Sequence, residues 1–323
     1  MFKIYNIYVG QGDCFLIVME EEPNMVDKDE EEKAKKYFTI LVDGGFAKYH
    51  IYKKVKEILA GKDLNVIVVT HVDQDHISGI KQFINKKDLN LEKTVILFNK
   101  FDKEVISYRD GEKLFDKIQQ NCNENLLLKS YSVDFIEENK KLKAEWSAKN
   151  YLDCKFYSVG QRKKVIKIDN KVVSITVLGP EYSVVSNFMK NWKDDITNSI
   201  ITNKSSIVIL IEYKDYRILM LGDAYLRDVK KSMEKLKDLV KKIDLIKVSH
   251  HGARDNNEGL WEFAKEYDCK KFMITIDEKQ EDEKNHPNRE LINAMPTCFN
   301  ISCGKAIKCD EIDVIQYKEE VEL

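Results

Sequence analysis

The sequence predicts an α/β protein (α+β by some schemes), and three observations carry that expectation. Strand-like and helix-like segments interleave in both halves of the chain. Hydrophobic residues make up 43% of 323 residues, enough to fill a sizeable core. Buried-strand runs end abruptly in clusters of histidine and aspartate, as in "VIVVTHVDQDHISG" (66–79). No Pro/Gly/Ser-rich linker or internal repeat breaks the pattern, so the expectation is one domain spanning 1–323.

The chain opens with "FKIYNIYV", "CFLIVM" and "YFTILVD", three strand-like runs that read as a meander. The acidic "EEEPNMVDKDEEEKAKK" between the second and third reads as an exposed connection. After "VDGG" (42–45) come the helical "IYKKVKEILA" and the strand "NVIVVT". Further strands are "KTVILFN", "VSITVLG", "SSIVILIEY" paired with "YRILMLGD" around the turn "KD", then "DLIKVS" and "KFMITI". Helical patterns are "GEKLFDKIQQ", "DFIEENKKLKAEW", the basic "LRDVKKSMEKLKDLVKK" (226–242), "LWEFAKEY" and "RELINAM". Residues 100–160 carry no chemical motif and read as a polar, mostly helical insertion.

No run of about 18 uncharged apolar residues occurs, and the first residues alternate like a strand rather than a signal peptide, so the expectation is a cytoplasmic protein without a membrane span. Seven scattered cysteines, an odd number with no CxxC pair, fit a reducing compartment and ordinary thiols. Formal charge is −2, from 53 basic and 55 acidic residues, which excludes a protein that coats nucleic acid by bulk charge. Local basic stretches at 161–171 and 226–242 read as solvated faces.

The chemistry concentrates at strand ends. His71, Asp73, Asp75 and His76 lie within six positions after a buried strand. Unpaired charges there would cost several kcal/mol each, so they need partners or a cation. The alternation puts His71 and Asp73 toward one point and Asp75 and His76 toward a second, the arrangement that holds two metal ions about 3.5–4 Å apart. Two other strands end at Asp223, in "ILMLGDAY", and at His250 and His251, in "LIKVSHHGA". Four of the six histidines lie in these clusters; His286 stands in the loop-like "KNHPN" and His50 alone in "AKYHIYKK".

"THVDQDHISG" resembles the HxHxDH motif of the metallo-β-lactamase fold superfamily, in the form found in the soluble C-terminal domain of ComEC-type competence proteins. "VGQGDCFLI", "LVDGG", "ITVLGP", "NKSSIVI", "MLGDA", "VSHHGA" and "NHP" resemble that family's successive motifs, in order. The resemblance implies a four-layer αββα sandwich of two mixed sheets with the site along one edge. It implies one metal held by His71, Asp73 and Asp223, and another by Asp75, His76, Asp223 and one histidine of the doublet, His250 favoured and His251 the alternative. One or two divalent ions are expected, Zn²⁺ or Mn²⁺, with Mg²⁺ admitted.

Ser206 stands where many members carry a third-motif histidine, with Asn203 nearby, and Asp73 replaces another. The first site is therefore poorer in nitrogen, harder, and more tolerant of Mn²⁺ or Mg²⁺. Ser78 and Ala253 are smaller departures that touch no expected ligand. The competence proteins also carry a membrane channel domain absent from this sequence, so DNA uptake is not part of the expectation.

The implied activity is metal-dependent hydrolysis, of a phosphodiester and of DNA first, making nucleic acid or a nucleotide the expected substrate. Asp75 would hold metal and orient the attacking hydroxide; His286 would contact a phosphate or protonate the leaving oxygen. Asp43 is expected to steady the ligand-bearing loop, with Asp13, Asn203 and Ser206 as further supporting or substrate-binding residues. Only a short helix fits between Asp223 and His250, which sets aside the branch with a β-CASP insertion. Two other readings stand beside the nuclease. One is a hydrolase of small esters, lactones or thioesters, and the other a silent or partner-activated subunit of a bacterial defence assembly. Oligomeric state is left open.

Overall fold

The computed structural model describes residues 2–7, 9, 12–20, 37–86, 88–99, 108–122, 127–128, 154–158, 164–168, 173–181, 184, 199–234, 236–238, 240–275, 287–294, 300–303, 307–308 and 312–317. Its first sheet holds β1 (Phe2–Ile7), β2 (Phe15–Glu20), β3 (Tyr37–Val42), β4 (Val66–Val68), β5 (Val95–Leu97) and β6 (Leu127–Leu128). Its second holds β7 (Cys154–Ser158), β8 (Lys164–Ile168), β9 (Val173–Gly179), β10 (Val208–Tyr213), β11 (Tyr216–Met220), β12 (Leu245–Lys247), β13 (Lys271–Ile274) and β14 (Asn300–Cys303). The C-terminal β15 (Ile307–Lys308) and β16 (Ile312–Tyr317) return to the first sheet, where β16 runs parallel to β1.

Both sheets are mixed. β1, β2 and β3 form the expected antiparallel meander, after which β3, β4 and β5 run parallel. In the second sheet β9, β10 and β11 are antiparallel, and β11, β12 and β13 are parallel. Parallel strands need crossovers, and these supply the helices. Helix α1 (Tyr49–Leu59) joins β3 to β4, and α2 (Gln74–Ile84) joins β4 to β5. Helix Leu226–Glu234 precedes β12 and helix Leu260–Glu266 precedes β13.

Three apolar layers separate four layers of structure. Phe15, Ile17 and Ile40 meet Ile175, Ile209 and Ile218 between the sheets. The other faces of the strands are covered by helices: Ile51, Val55, Ile77 and Phe83 pack on Leu16, Leu41 and Ile67, while Val229, Met233, Trp261 and Phe263 pack on Leu210, Leu219 and Ile246. The near-continuous apolar runs of β2 and β10 follow from that burial on both faces, whereas β1 alternates over its first four residues, where one face is less covered. The result is the αββα sandwich.

The basic helix expected over 226–242 ends at Glu234; the chain then turns, and Leu236 and Val240 pack back into the core. Apolar positions at helical spacing continued past the true end because a packed turn buries the same residue types. Residues 154–158 and 164–168 form an antiparallel hairpin, and 108–121 the expected helix. The expected helix "DFIEENKKLKAEW" lies outside the described residues. Cys14 and Cys269 are buried free thiols and Cys122 is half-buried. Among the described residues no helix is long and apolar enough to cross a membrane.

Candidate metal centre

The polar side chains of the site gather where parallel strands end, on the edge where the two sheets meet. Asp43 follows β3, Thr70 and His71 follow β4, Asp223 follows β11, His250 and His251 follow β12, and Thr275 follows β13. Asp13 enters from the connection between β1 and β2. His250 and His251 both adopt positive φ, 43° and 50°, a conformation that costs of order 1–3 kcal/mol and persists only where surroundings enforce it. The strain turns both imidazoles toward the same edge.

Three imidazoles are oriented by one device. Asp43 Oδ2 accepts from the Thr70 hydroxyl at 2.6 Å, and the Thr70 oxygen lies 2.9 Å from His71 Nδ1. Asp43 Oδ2 also lies 2.8 Å from His76 Nδ1. Across the sandwich, Asp13 Oδ1 accepts from the Thr275 hydroxyl at 2.7 Å, and that oxygen lies 2.7 Å from His251 Nδ1. A carboxylate only accepts, and a hydroxyl whose proton is already donated can then only accept, so each Nδ1 carries the proton. In the neutral imidazole each Nε2 therefore presents its lone pair.

Those three Nε2 atoms, of His71, His76 and His251, are buried and have no hydrogen-bond partner. They converge with carboxylates. Asp223 Oδ2 stands 3.4 Å from His76 Nε2, 3.7 Å from His71 Nε2 and 3.8 Å from His250 Nε2. Asp75 Oδ2 lies 3.7 Å from His251 Nε2 and 3.9 Å from His76 Nε2. Asp73 Oδ2 lies 3.5 Å from His71 Nε2; the residue sits at the N-cap of α2, where an aspartate normally accepts from the helix, yet makes no side-chain capping bond. Donors bound at about 2.0–2.2 Å around one tetrahedral ion lie roughly 3.3–3.6 Å apart, close to these spacings. Leaving three lone pairs desolvated and unpaired would be costly, and a divalent cation satisfies all of them. The residues fit a metal.

His71, His76 and Asp223 form one group that could hold an ion, and Asp75, His76 and His251 a second, with Asp223 beside both. A third group, Asp13, Asp43 and His76, lies behind them. Burial would raise the Asp223 carboxyl, but the imidazoles of His76, His71 and His250 outweigh it and hold it well below the usual carboxylate range. Burial likewise opposes ionisation of Asp75, and His76 and His251 again prevail. For His76, burial would lower the pKa, but Asp223, Asp43 and Asp75 raise it well above 6.5. The edge is built to hold positive charge.

His71, Asp73, Asp75, His76, Asp223 and His250 are thus brought together. Of the histidine doublet it is His251 that groups with Asp75 and His76. His250 approaches Asp223 from the more open side, its Nδ1 set 3.2 Å from the side-chain amides of both Asn203 and Asn256. Ser206 is buried behind Asp223 and accepts its backbone N–H at 3.3 Å. His286 lies outside the described residues; the N–H of Asn288, two residues on, donates to Gly252 O of the histidine loop at 3.0 Å. His50 lies away from the cluster on α1.

Sequence reasoning missed Thr70, Thr275, Asn256 and Lys247. Asn256 donates to the Asp223 carbonyl at 2.7 Å, tying the histidine loop to the aspartate loop. Lys247 left a signal, a lone cation inside the apolar "DLIKVS". The two threonines left none, since threonine is common in strands.

Residues 37–97 match the family model described as the metallo-beta-lactamase superfamily. No curated protein matches the chain. Among solved structures it is similar to the metallo-beta-lactamase fold protein YhfI from Bacillus subtilis, at 10% identity and TM-score 0.41 over 84% of each chain. It is also similar to a diphosphatase of the PhnP family, at 10% identity and TM-score 0.41 over 90% of this chain and 80% of that one. A third is a long form of RNase Z from yeast, at 10% identity and TM-score 0.36 over 83% of this chain and 37% of that one. Over residues 37–97, the span that carries Asp43, His71, Asp73, Asp75 and His76, the chain is similar to the metallo-beta-lactamase superfamily.

Proposed function

We propose that this chain is a metal-dependent hydrolase of the metallo-beta-lactamase superfamily, of the ComEC-type branch, that cleaves phosphodiesters, DNA first among them. The observation that carries the reading is the set of three buried Nε2 atoms, each with its Nδ1 committed behind it, converging on Asp223 and Asp75. Bound divalent ions would supply a water acidified toward neutral pH and positive charge for the oxyanion that develops during attack. Zn²⁺ and Mn²⁺ suit the mixed donor set, and the carboxylate-rich side around Asp73 admits Mg²⁺.

The roles of the chain's own groups follow from their placement. Asp223 stands between the two donor groups and would serve both. Asp75 is more exposed than Asp223 and lies at the opening, where it can accept a hydrogen bond from the attacking water and orient it. His250, also partly exposed, is placed to meet a substrate oxygen entering from the same side. Five carboxylates (Asp13, Asp43, Asp73, Asp75, Asp223) and one buried ammonium (Lys247) leave four negative charges, the charge of two divalent cations. Positive charge that a phosphate substrate would use stands around Tyr225, two residues after Asp223: Arg227 and Lys204 lie over its ring, at 5.0 and 5.9 Å. The free thiols of Cys14, Cys122 and Cys269 suit a cytoplasmic setting.

The test is metal content of the purified protein together with cleavage of single- and double-stranded DNA in Mn²⁺, Mg²⁺ or Zn²⁺, for wild type beside Asp75→Ala. Metal-dependent cutting that falls about 10²-fold or more in the variant is expected. Bound metal with no cleavage of either strand form overturns the phosphodiesterase reading in favour of a small-ester hydrolase or a partner-activated subunit. Absence of metal binding under every condition overturns the hydrolase reading itself.

A further inference from the structure

Lys247 is the one lysine or arginine that is buried among the described residues, at 1% exposure, and it lies directly behind the donor cluster. A lysine in a core strand costs several kcal/mol unless its ammonium is well paired. Its Nζ forms an ion pair with Asp13, donates to Gly222 O at 3.1 Å, and stands 3.9 Å from Asp223 Oδ1. Through Asp13 the same ammonium reaches Thr275 and so His251 Nδ1. Asp13 Oδ2 is also 3.9 Å from His76 Nδ1. One charge thus touches the backing of a ligand in each donor group. An ion pair needed only for core stability would not have to meet the backbone next to Asp223, the Asp223 carboxylate and the Asp13 chain together.

We infer that Lys247 is a positioning residue of the metal centre. Its ammonium holds the Gly222 carbonyl next to Asp223, and attracts Asp223 Oδ1 across 3.9 Å, on one side, and anchors the Asp13–Thr275–His251 chain on the other. Asp223 Oδ2 and His251 Nε2 therefore stand ready for the ions. The inference rests on the metal reading above but not on any substrate. Position and charge act in opposite directions here. Deleting a positive charge beside a cation site strengthens cation binding by Coulomb's law, whereas releasing Asp223 and His251 weakens it. The sign of the change in affinity therefore reads which role Lys247 plays.

The experiment is isothermal titration of Zn²⁺ and Mn²⁺ into metal-stripped protein, paired with the visible absorption of the Co²⁺ form, for wild type, Lys247→Met and Lys247→Met/Asp13→Asn. The double variant removes both charges and keeps an oxygen that accepts from Thr275, so it remains informative where the single variant does not fold. The expected result is a Kd at least tenfold weaker for one ion, or loss of that ion, with an altered Co²⁺ spectrum in a protein whose near-ultraviolet circular dichroism is native. Unchanged stoichiometry with affinity within threefold of wild type, or tighter binding, in a folded variant overturns the inference. If wild type itself binds no metal, the proposed function fails rather than the positioning role alone.

Discussion

Replacing Gly79 by alanine should damage both the fold and the metal centre, and the structure sets the scale. Gly79 lies on α2 three residues after His76, with its backbone pressed against the loop that carries Asp43. A Cβ built there falls 1.9 Å from Gly44 O, and one built on Gly44 falls 2.5 Å from Ile80 N. Real Cβ atoms essentially never come closer than 3.0 Å, so helix and loop must separate by about 1 Å. That movement pulls on two hydrogen bonds, Gly44 N–H to His76 O and Gly79 N–H to Gly45 O, both 2.8 Å, and on the 2.8 Å contact between Asp43 and His76. Overpacking costs about 1–3 kcal/mol and each weakened hydrogen bond about 0.5–1.5, against roughly 1 kcal/mol returned by alanine's helix propensity. The net is a loss of about 1–5 kcal/mol, centred near 3. The assay is the urea midpoint of the metal-free protein with metal titration alongside, using Gly61→Ala as control. Gly61 has φ of +84° with nothing near its Cβ, so that control should lose about 1 kcal/mol of stability and no metal affinity. A Gly79→Ala protein within about 0.5 kcal/mol of wild type that binds metal normally would refute the close-contact argument.

Two other predictions separate the parts of the site. His251→Ala should lose one ion, because His251 groups with Asp75 and His76. His250→Ala should keep a greater share of metal affinity and lose turnover; equal metal loss in both variants, measured by bound-metal analysis, would contradict the placement. The second concerns pH. In metal-free protein His76 has its pKa raised, because Asp223, Asp43 and Asp75 outweigh burial. The stability this contributes is fully present below the unfolded value of 6.5 and is lost as pH rises through the folded value. Metal replaces the proton, so affinity should strengthen with pH over the same window. The melting temperature of stripped protein should fall from about pH 6 upward while the increment from added metal grows, and a pH-independent increment would count against it.

How legible the site was depended on what kind of constraint placed each residue. The strands that carry the candidate ligands could be read because an apolar run followed by histidine and aspartate is a local pattern; β4, β11 and β12 are present and stop two or three residues before the expected ends, leaving His71, Asp223 and His250 on the turns that follow. The order of His250 and His251 could not be read. The choice depends on two consecutive residues at positive φ and on Thr275, which arrives from β13. The helix expected to reach residue 242 stops at Glu234 because Leu236 and Val240 satisfy the core from a turn. β14, β15 and β16 went unread, being placed by pairing to β13 and β1 across long sequence separations.

The donor set also belongs to neither sheet alone. Asp43, His71, Asp73, Asp75 and His76 extend from the first sheet; Asp223, His250, His251, Lys247 and Thr275 extend from the second. The bonds that join them span the whole chain: Thr275 donates to Asp13 across 262 positions, and Lys247 pairs with the same carboxylate. Neither layer alone can complete the His71–His76–Asp223 or the Asp75–His76–His251 position until the Ile17–Ile209 interior has closed between them. Metal affinity would therefore be tied to closure of the sandwich, and on the proposed reading an ion at a hundred times its Kd would add about 2.7 kcal/mol to the closed state. The polar edge gives back this stability only with the ion in place. Without it, the Nε2 atoms of His71, His76 and His251 stay buried without a hydrogen-bond partner and the buried carboxylates of Asp13, Asp43 and Asp223 face one buried lysine, an imbalance that costs stability where the sheets meet.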